Sequence, residues 1–81
     1  MRCTVELQQL LLHPAVFRGI STDSEGNNWS VQVRLLEADV NRPCVWDAEV
    51  QFLSPEAEQA FGREFEITNV VRCIAKVTKR L

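Results

Sequence analysis

The sequence contains no tyrosine, one histidine and only three glycines among its 81 residues. It carries no Gly-x-Ser-x-Gly elbow and no GxxxxGK[ST] loop, so neither serine hydrolysis of that type nor GTP hydrolysis is expected. Its three cysteines, Cys3, Cys44 and Cys73, form no CxxC and are an odd, widely spaced set. That is a poor disulfide framework and no structural zinc pattern. They read as small buried apolar residues in a reducing compartment, which makes the cytoplasm the expected location. No apolar run approaches the roughly 18 residues of a membrane span, so no membrane partner is expected. Met1-Arg2-Cys3-Thr4 leads straight into an alternating pattern rather than a signal peptide. The net charge of −2 lacks the basic excess of a nucleic-acid surface, although a local cationic patch remains open.

What is present is ordinary for a folded chain: 46% hydrophobic and 25% charged residues. The length predicts one domain over 1–81, with a modest core. Residues 2 to 12 alternate, with Cys3, Val5 and Leu7 on one side and Thr4, Glu6 and Gln8 on the other. A period of two predicts a half-buried strand. A helix is the competing reading, and an amphipathic N-terminal helix on a sheet would make the fold α+β. The β-branched Thr4 and Val5 and the break at His13-Pro14 favour the strand. Leu10, Leu11 and Leu12 predict burial on both sides near its end. His13 has no metal-ligating or proton-sharing neighbour in sequence and reads as a loop residue.

A short second strand is expected over Ala15 to Ser21, with Val16, Arg18 and Ile20 opposed to Phe17 and Gly19. Asp23-Ser24-Glu25-Gly26-Asn27-Asn28 has hairpin-loop composition. It is not a calcium loop, because its glycine is misplaced and Arg34 stands where the bidentate glutamate belongs. Trp29, Val31, Val33 and Leu35 share one face of a third strand, and Cys44, Trp46, Ala48, Val50 and Phe52 one face of a fourth. Both tryptophans are therefore expected in the core. Ser54-Pro55-Glu56 predicts the start of a short helix, with Ser54 as N-cap, Pro55 in the first turn and Gly62 as the stop. Ala57, Ala60 and Phe61 are its docking residues. A brief strand with Phe65 and Ile67 inward follows, then a turn centred near Asn69, the residue there that best tolerates positive φ. The last strand alternates Val71, Cys73, Ala75 and Val77 against Arg72, Ile74, Lys76, Thr78 and Arg80.

About six strands separated by polar turns predict an all-β fold, a small six-stranded antiparallel barrel with one short helix. Asp47 and Glu49 share a strand face, where they read as a solvated pair set opposite Arg72 or Lys76 rather than as acid–base catalysts. No catalytic set, metal site or cofactor is expected. Arg72, Lys76, Lys79 and Arg80 are the one basic concentration and the candidate partner-binding residues. Edge lysines and arginines also serve simply to block aggregation.

The stretch from Pro43 to Thr78 resembles the last β-barrel domain of elongation factor Tu and related translation GTPases. The matching features are Pro43, Leu53 with Pro55 nearby, Gly62, Phe65-Glu66-Ile67, Arg72, and Ile74 to Val77. Where that family has paired glycines before the arginine, this chain has Val70-Val71. Near its final-strand glycines stand Ala75 and Val77. The resemblance implies a barrel without GTPase activity of its own that binds a protein, with the translation machinery as the implied setting. The alternative partner is RNA, contacted weakly through the basic last strand.

Overall fold

The computed structural model describes residues 1–8, 15–69 and 73–80. Six strands are formed: β1 (Arg2–Leu7), β2 (Val16–Thr22), β3 (Asn28–Ala38), β4 (Val45–Phe52), β5 (Glu64–Thr68) and β6 (Cys73–Lys79). They close into an antiparallel barrel in the order β1-β4-β3-β2-β5-β6. The N-terminal segment is therefore strand, as its alternation predicts. The expected burial of Leu10 to Leu12 and the His13-Pro14 break lie outside the described residues.

Alternation places one residue in two inside. Cys3, Val5 and Leu7 point inward from β1, and Val31, Val33 and Leu35 from β3. Ala48, Val50 and Phe52 come from β4, Phe65 and Ile67 from β5, and Ala75 and Val77 from β6. Trp29 and Trp46 pack against this core only partly buried. Trp29 has a polar reason to stay near the surface: its indole N–H donates to Asp23 Oδ2 at 2.9 Å. Burial pushes the Cys3 thiol up to about 11, which leaves it a protonated core group. Cys44 and Cys73 are only half-buried, a correction to the expectation that all three cysteines are core residues.

The β2–β3 hairpin turns through the loop its composition predicts. Asp23 Oδ1 accepts the N–H of Glu25 and of Asn27, each at 2.9 Å. Gly26 adopts φ +86°, a left-handed conformation that glycine takes without a Cβ penalty. On β3 an extra residue at Leu36 shifts the register between Leu35 and Glu37, and Leu36 turns outward.

β4 and β5 stand opposite each other in the ring, three strands apart in either direction. The link from Leu53 to Arg63 must therefore cross the barrel mouth. It carries a single 3-10 turn, Ala57–Ala60, in place of the expected capped helix. Glu56 occupies the N-cap without a side-chain bond, and Ser54 contributes only its carbonyl, which accepts the Ala57 N–H at 3.1 Å. The turn ends at an extended Phe61 (φ −114°, ψ 140°), so Gly62 is not a left-handed stop. The physical reason is span. A 3-10 turn rises about 2.0 Å per residue against 1.5 Å for an α-helix, and a crossing link gains from the longer rise. Ala57 and Phe61 dock inward as expected, whereas Ala60 is exposed. Phe61 stacks on Phe52 with ring centroids 5.0 Å apart and meets Phe65 at 5.1 Å.

β5 and β6 pair with a register shift at Ile67 and Thr68, which places Thr68 against Cys73. Asn69 does not take the positive φ expected of it, since no described non-glycine residue does. The rest of the turn expected there lies outside the described residues.

Candidate interaction surfaces

Of the four candidate partner-binding residues, Arg72 lies outside the described residues. The other three are on β6 or just beyond it, and the barrel sends them to different places. Lys76 is exposed on the outer wall, where its registered neighbours are Glu6 on β1 and Glu66 on β5. Lys79 has the inward parity of Ala75 and Val77 and sits where the strand reaches the mouth. Its ammonium donates to the carbonyls of Glu58 at 2.9 Å and Phe61 at 2.8 Å. It thereby ties the crossing link to β6. Arg80 reaches Asp47 with an Nη1–Oδ1 distance of 3.2 Å and donates through Nε to Thr4 Oγ1 at 3.3 Å. The three side chains thus form no continuous cationic strip.

Lys76 lies instead in a shallow groove of about 490 Å³ between β1, β5 and β6, lined also by Glu6, Arg42, Glu64 and Glu66. Three carboxylates against two cations give this wall an acidic balance. The sequence shows each strand's cations but not which strands flank it, and strand order supplies the glutamates.

Asp47 and Glu49 do not face Lys76 as expected, because β4 neighbours β1 and β3 rather than β6, and the Arg72 half of that expectation lies outside the described residues. Asp47 is held by Arg2 and Arg80, and Glu49 Oε1 accepts from the Met1 amino group at 3.0 Å. The Arg2 hydrogen bond, reinforced by the charges of Arg2 and Arg80, holds the Asp47 carboxyl below its ordinary range. A lowered folded-state value adds stability above the unfolded aspartate range near 4, and this is lost as pH falls through the folded value. The thermal midpoint should therefore drop as the pH is taken from about 5 to 2. The drop should be shallower in Asp47→Asn, as read by circular dichroism melts. Equal slopes in the two proteins would mean that the ion pairs add nothing.

The β2–β3 wall has a different character. Its outer positions expose Val16 (43%), Ile20 (40%) and Leu36 (42%). Arg34 lies across from Val16, and Arg18 donates to Gln32 Oε1 at 3.3 Å on the neighbouring strand. Val40, at the tip of the β3–β4 connection, is 94% exposed. Asp39 shapes that tip by accepting the N–H of Asn41 at 2.8 Å and of Arg42 at 3.1 Å. Sequence reading separated Val16 and Ile20 from Phe17 and Gly19 but gave no reason to choose between the two faces.

Among the described residues no group of three histidine, cysteine, aspartate or glutamate side chains is placed to hold a metal ion. Nor is any helix among them long and apolar enough to cross a membrane. Fold and surface together define a small closed antiparallel β-barrel with one wall of acidic balance and one on which exposed apolar side chains and arginines are interleaved. Comparison with protein-family models, curated proteins and solved structures finds no match for the chain.

Proposed function

We propose that this chain is a non-catalytic protein-interaction module that docks its partner on the outer wall of β2 and β3. The observation that carries the reading is the exposure of Val16, Ile20 and Leu36 on neighbouring strands, beside Arg18 and Arg34. Apolar side chains scattered singly over a surface need no explanation, but three on one wall interleaved with Arg18 and Arg34 have the make-up of a contact patch. The partner that fits carries apolar and acidic groups side by side. The resemblance of Pro43 to Thr78 to translation-factor barrels makes ribosomal and translation-factor fractions the first place to look. RNA binding through β6 is the weaker reading, since Lys79 and Arg80 have partners within the barrel and Lys76 stands between two glutamates.

The test is a cross-linked pull-down with the wild-type chain and with Ile20→Asp/Leu36→Asp as baits. Both substituted residues are exposed, so the variant's melting curve should stay near that of the wild type. A partner held by the wild type and lost, or weakened at least about tenfold, by the variant is the expected result. Identical protein sets on the two baits would remove the reading.

A further inference from the structure

The barrel is closed unevenly. Five of its seams hold five or more registered pairs each. Among the described residues the β2–β5 seam holds one, Ile20 with Thr68. Side chains do much of the remaining work there: Ser21 Oγ donates to the Glu66 carbonyl at 2.8 Å, and Thr68 Oγ1 to the Ile20 carbonyl at 3.1 Å. Beyond that point the strands part. A cleft of about 410 Å³ lies between the end of β2 and the start of β5, with Thr22 and Ser24 on one side and Glu64 and Glu66 on the other. Phe61 and Phe65 contribute apolar lining.

The backbone of β5 can be oriented from its neighbours. The Arg63 carbonyl accepts the Lys79 N–H at 2.7 Å, so odd-numbered residues turn their backbone groups to β6. Even-numbered residues turn theirs to β2, as the Ser21–Glu66 bond confirms. Glu64 N–H, Glu64 C=O and Glu66 N–H therefore face the cleft, and no strand among the described residues is registered against them. A strand edge with open donors and acceptors is a template for another extended chain. The cleft also has a sign. Its titratable lining residues are Asp23, Glu64 and Glu66, and no lysine or arginine lines it. Asp23 is already engaged by Trp29 and the loop amides, whereas Glu64 and Glu66 are exposed beside the open edge, with Lys76 and Arg42 in the groove on the far side of β5.

We propose that this half-open seam accepts a short extended peptide segment bearing lysine or arginine, which adds as a strand against β5. Main-chain hydrogen bonds to Glu64 and Glu66 hold the segment, and their carboxylates select its cationic side chains. The site is distinct from the β2–β3 outer wall, and it stands or falls independently of the partner proposed there.

Amide exchange and peptide titration, both followed by NMR on the intact chain, test it. In the free protein Glu64 and Glu66 amides should exchange at least about tenfold faster than Phe65 and Ile67. Equal protection at all four would mean that the seam is closed and would overturn the proposal. A short peptide of alternating lysine and valine should shift the Thr22–Ser24 and Glu64–Thr68 resonances and slow exchange at Glu64 and Glu66. Its glutamate–valine counterpart should do neither. Methylating alternate backbone nitrogens of the lysine peptide keeps its charge but removes its donors, and should weaken binding about tenfold or more. Undiminished binding of the methylated peptide would mean charge attraction without strand addition. In Glu64→Lys/Glu66→Lys the preference should pass to the glutamate peptide, and an unchanged preference would also overturn the proposal.

Discussion

Phe61→Ala should remove about 3–5 kcal/mol of stability, the largest loss expected from any single side chain in the crossing link. A chain of this size holds roughly 4–12 kcal/mol in all, so the variant would lose at least about a quarter of its stability. Phe61 is not a strand residue. It belongs to the link that spans the barrel mouth, yet it is 8% exposed and stacks on Phe52 with an interplanar angle of 11°. Phe65 meets both rings, at 5.6 Å and 5.1 Å. Truncation would therefore take one wall from a three-ring cluster and leave a void at the mouth, where the neighbouring strands cannot collapse without breaking their ladders. Leu53→Ala in the same link is the control. Leu53 is 73% exposed, and its loss should change stability by no more than about 0.5 kcal/mol. Urea unfolding of the three proteins at one temperature gives the comparison. A loss below about 1 kcal/mol for Phe61→Ala would mean that the link is a tether rather than a plug.

Much of the barrel is legible in single strands. Val31, Val33 and Leu35, or Ala48, Val50 and Phe52, declare their inward face because every second side chain is apolar. β2 does not, because its signs are inverted. Val16 and Ile20 point to solvent, while the inward positions hold Phe17, Gly19 and Ser21. Gly19 is inside because a neighbouring strand comes so close that no side chain fits. Hydrophobicity cannot signal that. The cations of β6 mislead for a related reason. Their spacing in one strand reads as a charged face, but Glu6, Glu66 and Asp47 arrive from β1, β5 and β4 by strand order, which no local pattern encodes. Lys79 illustrates a third limit: at a barrel mouth an inward-parity lysine can end on carbonyls of a crossing link. The short helix failed on span, since Ser54, Pro55 and Gly62 are sound local signals overruled by the distance the link must cover.

Gly19→Ala tests the close approach directly and should destabilise the chain by about 1–3 kcal/mol despite adding a single methyl group. Its backbone φ is not in the left-handed region, so the expected cost is one of contact rather than conformation. A Cβ at Gly19 would overlap Ile67 Cγ2 and lie 3.0 Å from the Thr68 carbonyl oxygen and 3.4 Å from Ile74 Cδ1. Ile67 is fully buried and cannot swing aside, and the Thr68 oxygen is backbone. The strain falls on the seam that holds one registered pair among the described residues, so relief comes most readily by parting β2 from β5. The identity of the clashing atom makes the cause separable from a general loss of packing. Ile67→Leu removes the β-branch that carries Cγ2 while conserving volume, and alone should cost less than about 1.5 kcal/mol. Combined with Gly19→Ala it should be less harmful than the sum of the two, with a coupling of about 0.5 kcal/mol or more. Additive losses in a double-mutant cycle would place the strain elsewhere. A Gly19→Ala chain as stable as the wild type would mean that β2 and β5 stand further apart than the structure places them.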